Sequence, residues 1–87
     1  MLGNIEKKVN NEKVFLVRRR LNEIDRKGLE YLAETSVIRY GIKISFREEP
    51  TERGNKLIIT YDSGGSNQRV VDYRLEMFLR YRELINQ

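Results

Sequence analysis

Basic side chains at alternate positions are the feature of this sequence that best suits a chemical task. Between residues 37 and 62, two segments alternate apolar and polar residues, the period of two that is typical of β-strands with one buried face. A basic ribbon face can contact nucleic-acid phosphates, and two-stranded ribbons can enter a DNA groove. The competing interpretation is an ordinary solvent-exposed sheet face. The cations on the predicted polar face are Arg39, Lys43, Arg47 and Lys56.

A run of three arginines is a second candidate for contact with phosphate. Arg18, Arg19 and Arg20 are consecutive. In a helix, neighbouring residues lie about 100° apart, so the three side chains would not share one surface. They suit a nucleic-acid phosphate or an acidic partner, and the competing interpretation is a solvated helix face. The net charge of +4 favours a polyanionic partner, although no single segment of the 87 residues carries the excess.

The residue types that are missing argue against catalysis. The chain contains neither histidine nor cysteine, so it lacks the commonest general base, the commonest metal ligand and the thiol nucleophile. Glu48, Glu49 and Glu52 are close in sequence, but nothing supplies the remaining oxygen ligands of a calcium site. We therefore predict a non-enzymatic protein with no catalytic residues, no metal site and no cofactor.

A glycine-rich turn has the layout of a phosphate cradle. Residues 62–66, DSGGS, lie between a predicted strand and a predicted helix, where glycine amides can bind an anion. The segment lacks the GK[ST] ending of a nucleotide-binding P-loop. A flexible turn that caps the following helix is the favoured interpretation.

Two helices and a hairpin must position these residues, which predicts the α+β class. Apolar residues at helical spacing predict an N-terminal helix from about Glu12 to Glu34, which Gly28 can interrupt. The competing prediction for residues 13–17 is an edge strand, because KVFLV is β-prone. An antiparallel β-hairpin over 37–62 follows, with Phe46 opposite Leu57. A long amphipathic helix over 67–86 completes a single domain of residues 11–87, which a short arm of residues 1–10 precedes.

The C-terminal helix has more apolar surface than this arrangement can bury. Two helices and a two-stranded ribbon leave part of its apolar face uncovered, and such surface usually contacts a partner. We predict a homodimer or a protein partner at this face, and a compact monomer is the alternative. The predicted interface residues are Val71, Leu75, Phe78, Tyr81 and Ile85.

Residues 40–86 resemble a known family of DNA-partitioning proteins. The segments YGIKISF (40–46), RGNK (53–56) and LIITY (57–61), followed by a serine-rich turn and an amphipathic helix, are similar to the C-terminal domain of ParB-type chromosome-partitioning proteins. In that family the ribbon and helix form a homodimer and a lysine-rich face contacts DNA. The resemblance implies the same architecture and partner here.

Together these patterns predict a small nucleic-acid-binding or nucleic-acid-associated protein that forms a homodimer, with DNA favoured over RNA. The alternative is a protein-interaction module, such as a regulator, inhibitor or assembly factor, that binds through the C-terminal helix. No apolar run is long enough to span a membrane and the N-terminus lacks a signal-peptide pattern. We therefore expect a cytoplasmic protein with no membrane partner.

Overall fold

Two helices and three strands make up the part of the chain that the structure describes. The computed structural model describes residues 11–62 and 67–86. The predicted arm, residues 1–10, and most of the glycine-rich turn lie outside these ranges. The predicted α+β class is confirmed. The elements are β1 (Asn11–Val17), α1 (Glu23–Tyr40), β2 (Ile44–Pro50), β3 (Asn55–Tyr61) and α2 (Gln68–Tyr81).

The strands form one antiparallel sheet in the order β1-β3-β2. In the hairpin, Phe46 pairs with Ile59 and Ile44 with Tyr61, so the predicted register is wrong by two residues. Because side chains alternate with a period of two, this shift leaves the same apolar residues on the buried face. The helices cover that face, and we call the opposite one the open face.

Residues 13–17 form a strand and not the predicted start of a helix. Val14 to Val17 are contiguous β-prone residues, and the strand pairs with β3 over its whole length. The helix begins later because Asn22 caps it: the Asn22 side chain accepts a hydrogen bond from Asp25 N at 2.9 Å, and the Asp25 carboxylate accepts one from Asn22 N at 2.8 Å. This capping box fixes the start of α1 at Glu23.

Helix α1 continues through residues predicted to be in the hairpin. The hydroxyls of Thr35 and Ser36 donate to carbonyls of the preceding turn, at 2.9 Å and 2.6 Å, so these residues stay within the helix. Gly41 ends it in a left-handed conformation with φ of 67°. Gly28 does not interrupt the helix.

The third strand enlarges the core, so one copy of the chain buries much of α2. Val71, Leu75 and Leu79 are at most 1% exposed. Helix α2 ends at Tyr81, earlier than the predicted residue 86, because Glu83 takes a φ of 61° and turns the chain. Leu84 then enters the core, and its carbonyl accepts a hydrogen bond from Arg18 N at 3.0 Å.

Candidate functional site

The cations predicted to share a ribbon face are divided among three parts of the molecule. Arg47 and Lys56 lie on the open face of the sheet, in β2 and β3. Arg39 lies in the last turn of α1, and Lys43 in the connection from α1 to β2. The predicted common face does not form, because residues 37–40 are helical and not part of the ribbon.

Carboxylates accompany the two cations that do lie on the open face. Arg47 Nη1 is 3.5 Å from Glu12 Oε2, and Arg47 Nε is 3.7 Å from Glu49 Oε2. Lys56 is directly opposite Glu49 in the pairing of β2 with β3. These acids lower the positive potential that the open face presents, so it is a weak candidate for phosphate contact.

The three consecutive arginines have three different environments. Arg18 donates a hydrogen bond to the Asn86 side chain, and Arg20 is exposed. Arg19 donates to Asp25 Oδ2 at 2.6 Å and to the Arg82 carbonyl at 3.1 Å. Arg19 therefore has a structural role, since its guanidinium connects the start of α1 to the residues that follow α2.

Asp25 is the centre of a buried charged cluster. Its side chain is fully buried and accepts hydrogen bonds from Arg19, from Arg82 Nε at 2.7 Å and from the backbone N–H of Asn22. Burial alone would raise the pKa of Asp25, but these hydrogen bonds and the charge of Arg19 lower it to about 2. The carboxylate is therefore ionised at neutral pH and fully occupied by partners, which suits stabilisation and not acid–base chemistry.

A group of cations at the opposite end of the helices has no such carboxylate partners among the residues that the structure describes. Tyr40 joins the two helices there: the Asn67 side chain donates to its carbonyl at 3.4 Å, and the Arg74 guanidinium lies 5.9 Å from its ring centroid. Within residues 11–62 and 67–86, no ion pair connects any cation of this group to an acid. We call this group the basic end, and it consists of Arg39, Lys43, Arg69 and Arg74.

Most of the predicted interface on α2 lies inside the molecule. Val71 and Leu75 are 1% and 0% exposed and belong to the core, so they are not surface residues as predicted. Phe78 and Ile85 are partly buried against the same core. Only Tyr81, at 77%, is strongly exposed. The correction follows from β1, since a three-stranded sheet covers more of α2 than a two-stranded ribbon would.

A different set of apolar side chains lies on the surface of the helices. On α1 three of the four exposed apolar residues are spaced by seven, and Val37 lies on another side of the helix. On α2 the spacing is three or four, so each set forms a stripe along its helix. A stripe of this kind on a surface helix usually contacts another surface. We call the two stripes together the apolar seam, and it consists of Ile24, Tyr31, Ile38, Val70, Tyr73, Met77 and Tyr81.

The two stripes lie side by side because the helices pack antiparallel. Asp25 contacts Arg82 at one end, and Tyr40 contacts Asn67 at the other. Between these ends, the Phe78 ring packs against Gly28. Ile24 and Tyr31 lie four and three positions from Gly28, and Tyr81 lies three positions from Phe78, so these residues adjoin the contact. The exposed stripes therefore border the line between the helices at this contact, on the side away from the sheet.

Two other features are weaker candidates for a functional site. A shallow depression of about 140 Å³ is lined by Lys43, Ile44, Ser45, Thr60 and Asp62, and it is smaller than typical ligand pockets of roughly 300 Å³ or more. Tyr61 is buried, and burial raises the pKa of its hydroxyl. The hydrogen bond that this hydroxyl donates to Asp72, and the negative charge of Asp72, raise the pKa further. Tyr61 therefore stays protonated and has a structural role.

Among the described residues, no cluster of three or more potential ligands could hold a metal ion. Glu48, which the sequence places beside Glu49 and Glu52, instead has its Oε2 atom 2.5 Å from Arg26 Nη2, and its Oε1 atom accepts a hydrogen bond from Asn55 Nδ2 at 2.6 Å.

Neither α1 nor α2, the helices within the described ranges, is both long and apolar enough to cross a membrane.

Sequence reasoning missed the α1 half of the seam. A helix that begins near Glu12, as the sequence predicts, places Ile24 on the same apolar face as Val14 and Leu21. Counted from the capping box at Asn22, the inward positions are Leu29 and Leu32, and the spacing of seven between Ile24, Tyr31 and Ile38 becomes visible. The capping box was the signal that could have located this stripe.

Comparison with known proteins adds no family assignment to this geometry. No family model matches the chain, and no curated protein or solved structure matches it. The resemblance to the ParB-type domain therefore stays a prediction.

Proposed function

We propose that this protein is a protein-interaction module whose working surface is the apolar seam. The observation that carries the proposal is the seam itself: two adjacent, antiparallel helices both expose an apolar stripe on the same side. The core does not require these residues, because it is complete without them. A contiguous apolar strip of this kind fits the side of a helix or a helical pair on another protein.

The size of the seam favours it over the apolar residues of the open face. Fully burying one large aliphatic side chain contributes about 1.5–3 kcal/mol, whereas association loses roughly 4–15 kcal/mol of translational and rotational free energy. Several side chains must therefore be buried together. The seam supplies a row of them, but on the open face only Val14 and Leu16, both in β1, are strongly exposed within the described ranges.

Site-specific photocross-linking in the native cell tests the proposal. A benzophenone amino acid replaces Tyr31, which is 58% exposed in the seam, and in a matched control it replaces Leu16, which is 72% exposed on the open face. We expect a discrete cross-linked protein from position 31 and none from position 16. Equal labelling from both positions, or no product from position 31, would contradict the proposal.

A second candidate function, nucleic-acid binding, is favoured by the basic end. Its four cations have no carboxylate partner among the described residues. The first turn of α2 contains Arg69 and no acid, although acids are the residues that stabilise a helix N-terminus. A cation cluster at a helix N-terminus suits phosphate groups, and the ParB-type resemblance points to the same class of partner.

A salt titration tests this candidate. Neutralising two cations of the basic end, as Arg39→Gln/Arg69→Gln, should lower the slope of log K against log salt by about 2 for duplex DNA. The control Arg47→Gln/Lys56→Gln removes the same charge from the open face and should leave the slope unchanged. Equal effects of the two variants would indicate nonspecific attraction by net charge and would exclude the basic end as the site.

A further inference from the structure

We infer that the surface bound by the apolar seam is the seam of a second copy of this chain, with α1 of each copy facing α2 of the other. This inference rests on the proposed function and names its partner. A strip that runs along the middle of two helices is able to match a second identical strip face to face. Such pairing is the isologous interface of a twofold dimer, in which the same patch is used twice.

Two arrangements of that dimer are compatible with the geometry. If the twofold axis runs along the seam, α1 of one copy lies over α2 of the other, and each facing pair is antiparallel. If the axis crosses the seam at a right angle, α1 lies over α1 and α2 over α2. In both arrangements the seam residues form the centre of the interface and the outward flanks of the helices form its rim.

The charges on the flanks favour the first arrangement. The α1 flank carries three carboxylates and one ammonium, which give −2, and the α2 flank carries two guanidinium groups and one carboxylate, which give +1. Placing α1 over α2 brings flanks of opposite sign together, whereas α1 over α1 brings two acidic flanks together. The flank residues are Glu23, Lys27, Glu30 and Glu34 on α1, and Arg69, Glu76 and Arg80 on α2.

Ion pairs within each helix strengthen the preference for the arrangement in which α1 lies over α2. Lys27 lies 3.7 Å from Glu23, and Arg80 pairs with Glu76, so these four charges largely cancel within each helix. Glu30 and Glu34 on α1, and Arg69 on α2, have no ion-pair partner among the described residues. The remaining charges are therefore negative on one helix and positive on the other.

The arrangement also has a consequence for the rest of the surface. An axis along the seam keeps the direction of every helix relative to that axis, so the basic ends of both copies lie at the same end of the dimer. The number of cations at that end doubles. The alternative arrangement would place the two basic ends at opposite ends of the dimer.

Sedimentation equilibrium of the purified full chain tests whether the second copy binds. We expect a concentration-dependent dimer, and Tyr31→Glu should raise its dissociation constant by roughly tenfold or more, since it places a charge in the seam. The control Leu16→Glu should leave the constant within about twofold, and circular dichroism confirms that both variants fold. A monomer at all concentrations would overturn the inference. If position 31 still cross-linked to another protein in cells, the proposed function would stand.

Cysteine cross-linking tests the arrangement, because the chain has no cysteine of its own. A mixture of Ile38→Cys and Val70→Cys proteins should form an interchain disulfide, since these positions face each other when α1 lies over α2. Tyr31→Cys alone should not form an interchain disulfide. In this arrangement residue 31 of each copy faces α2 of the other copy and not the other residue 31. A disulfide from Tyr31→Cys alone, with none in the mixture, would overturn the arrangement. Cross-linking of the benzophenone at position 31 to residues 1–10 of its own chain would overturn the inference itself.

Discussion

Gly28 sets the distance between the two helices. A methyl group at this position would overlap Cζ of the Phe78 ring and lie 2.5 Å from Cε1, so only a residue without a side chain lets the ring pack directly against α1. The same contact aligns the two stripes of the apolar seam. Glycine in a helix usually costs about 1 kcal/mol relative to alanine, and here the close approach of Phe78 offsets that cost.

We therefore expect Gly28→Ala to destabilise the protein, although alanine is the better helix former. Overpacking against Phe78 should cost about 1–3 kcal/mol, which exceeds the gain of about 1 kcal/mol in helix propensity. Urea unfolding measures the difference. Adding Phe78→Leu to Gly28→Ala should recover part of the loss, because the smaller side chain leaves room for the methyl group. A Gly28→Ala variant as stable as the wild type would show that Phe78 moves aside without cost.

The ends of α1 account for most of the differences between the predicted and observed elements. The apolar alternation of residues 38–46 is genuine, but Ile38 and Tyr40 are helical because Gly41 provides the left-handed residue that ends a helix. The same alternation predicted that two paired strands lie between residues 37 and 62, which is confirmed, but β2 begins only at Ile44, after the helix has ended. Helix α2 was predicted because its apolar period and flanking turn agree. Apolar periodicity therefore showed that helices and strands are present, and the capping residues determined where the helices begin and end.

The third strand could not be assigned from its own residues. KVFLV suits a strand or the first turns of an apolar helix, and only its pairing with β3 distinguishes the two. The candidate site depends on that assignment, because the extra strand buries Val71 and Leu75 and leaves the seam as the exposed apolar surface of the helices. The basic end was half predicted: Arg39 and Lys43 were identified, but Arg69 and Arg74 join them only through the folding of α2 onto α1.

The C-terminal cap of α1 gives a prediction about this element. Gly41 has φ of 67° and its N–H bonds to the carbonyls of Ser36 and Val37, while no atom lies within 4 Å of the position of an added side chain. Gly41→Ala should therefore lose about 1 kcal/mol of stability through backbone strain alone. Gly41→Asn should lose clearly less, because asparagine tolerates this conformation. Thermal unfolding of the three proteins measures both effects, and equal losses for alanine and asparagine would show that strain is not the cause.

At the scale of the whole molecule, the charged cluster around Asp25 joins distant parts of the chain. Arg19 follows β1, Asp25 lies in the first turn of α1, and Arg82 follows α2. The Asp25 carboxylate thus connects a residue that follows the first strand with one that follows the last helix. This cluster and the basic end lie on opposite sides of the molecule. Because the cluster is buried at Asp25, its ion pairs are weakly screened by salt, unlike the exposed pairs on the helices.

This cluster should make the stability of the protein sensitive to acid. The pKa of Asp25 is about 2 in the folded chain, below the value of about 3.9 expected in the unfolded chain. As pH falls from about 4 to about 2, the unfolded chain therefore binds the proton more readily than the folded chain, and unfolding becomes more favourable. The contribution present above about pH 4 is roughly 2 kcal/mol, and it is lost across that window. Urea unfolding at a series of pH values from 7 to 2.5 measures it.

Two variants separate this contribution from that of the other carboxylates. Arg19→Gln removes one of the two guanidinium groups that lower the pKa of Asp25, so its stability should fall less steeply between pH 4 and pH 2.5 than that of the wild type. Glu23→Gln, two residues away and exposed, should keep the wild-type slope. Asp25→Asn should lose about 2 kcal/mol at neutral pH, because both arginines then lack their charged partner. If Arg19→Gln and the wild type had the same slope, the pairing with Arg19 would not be what holds the pKa of Asp25 low.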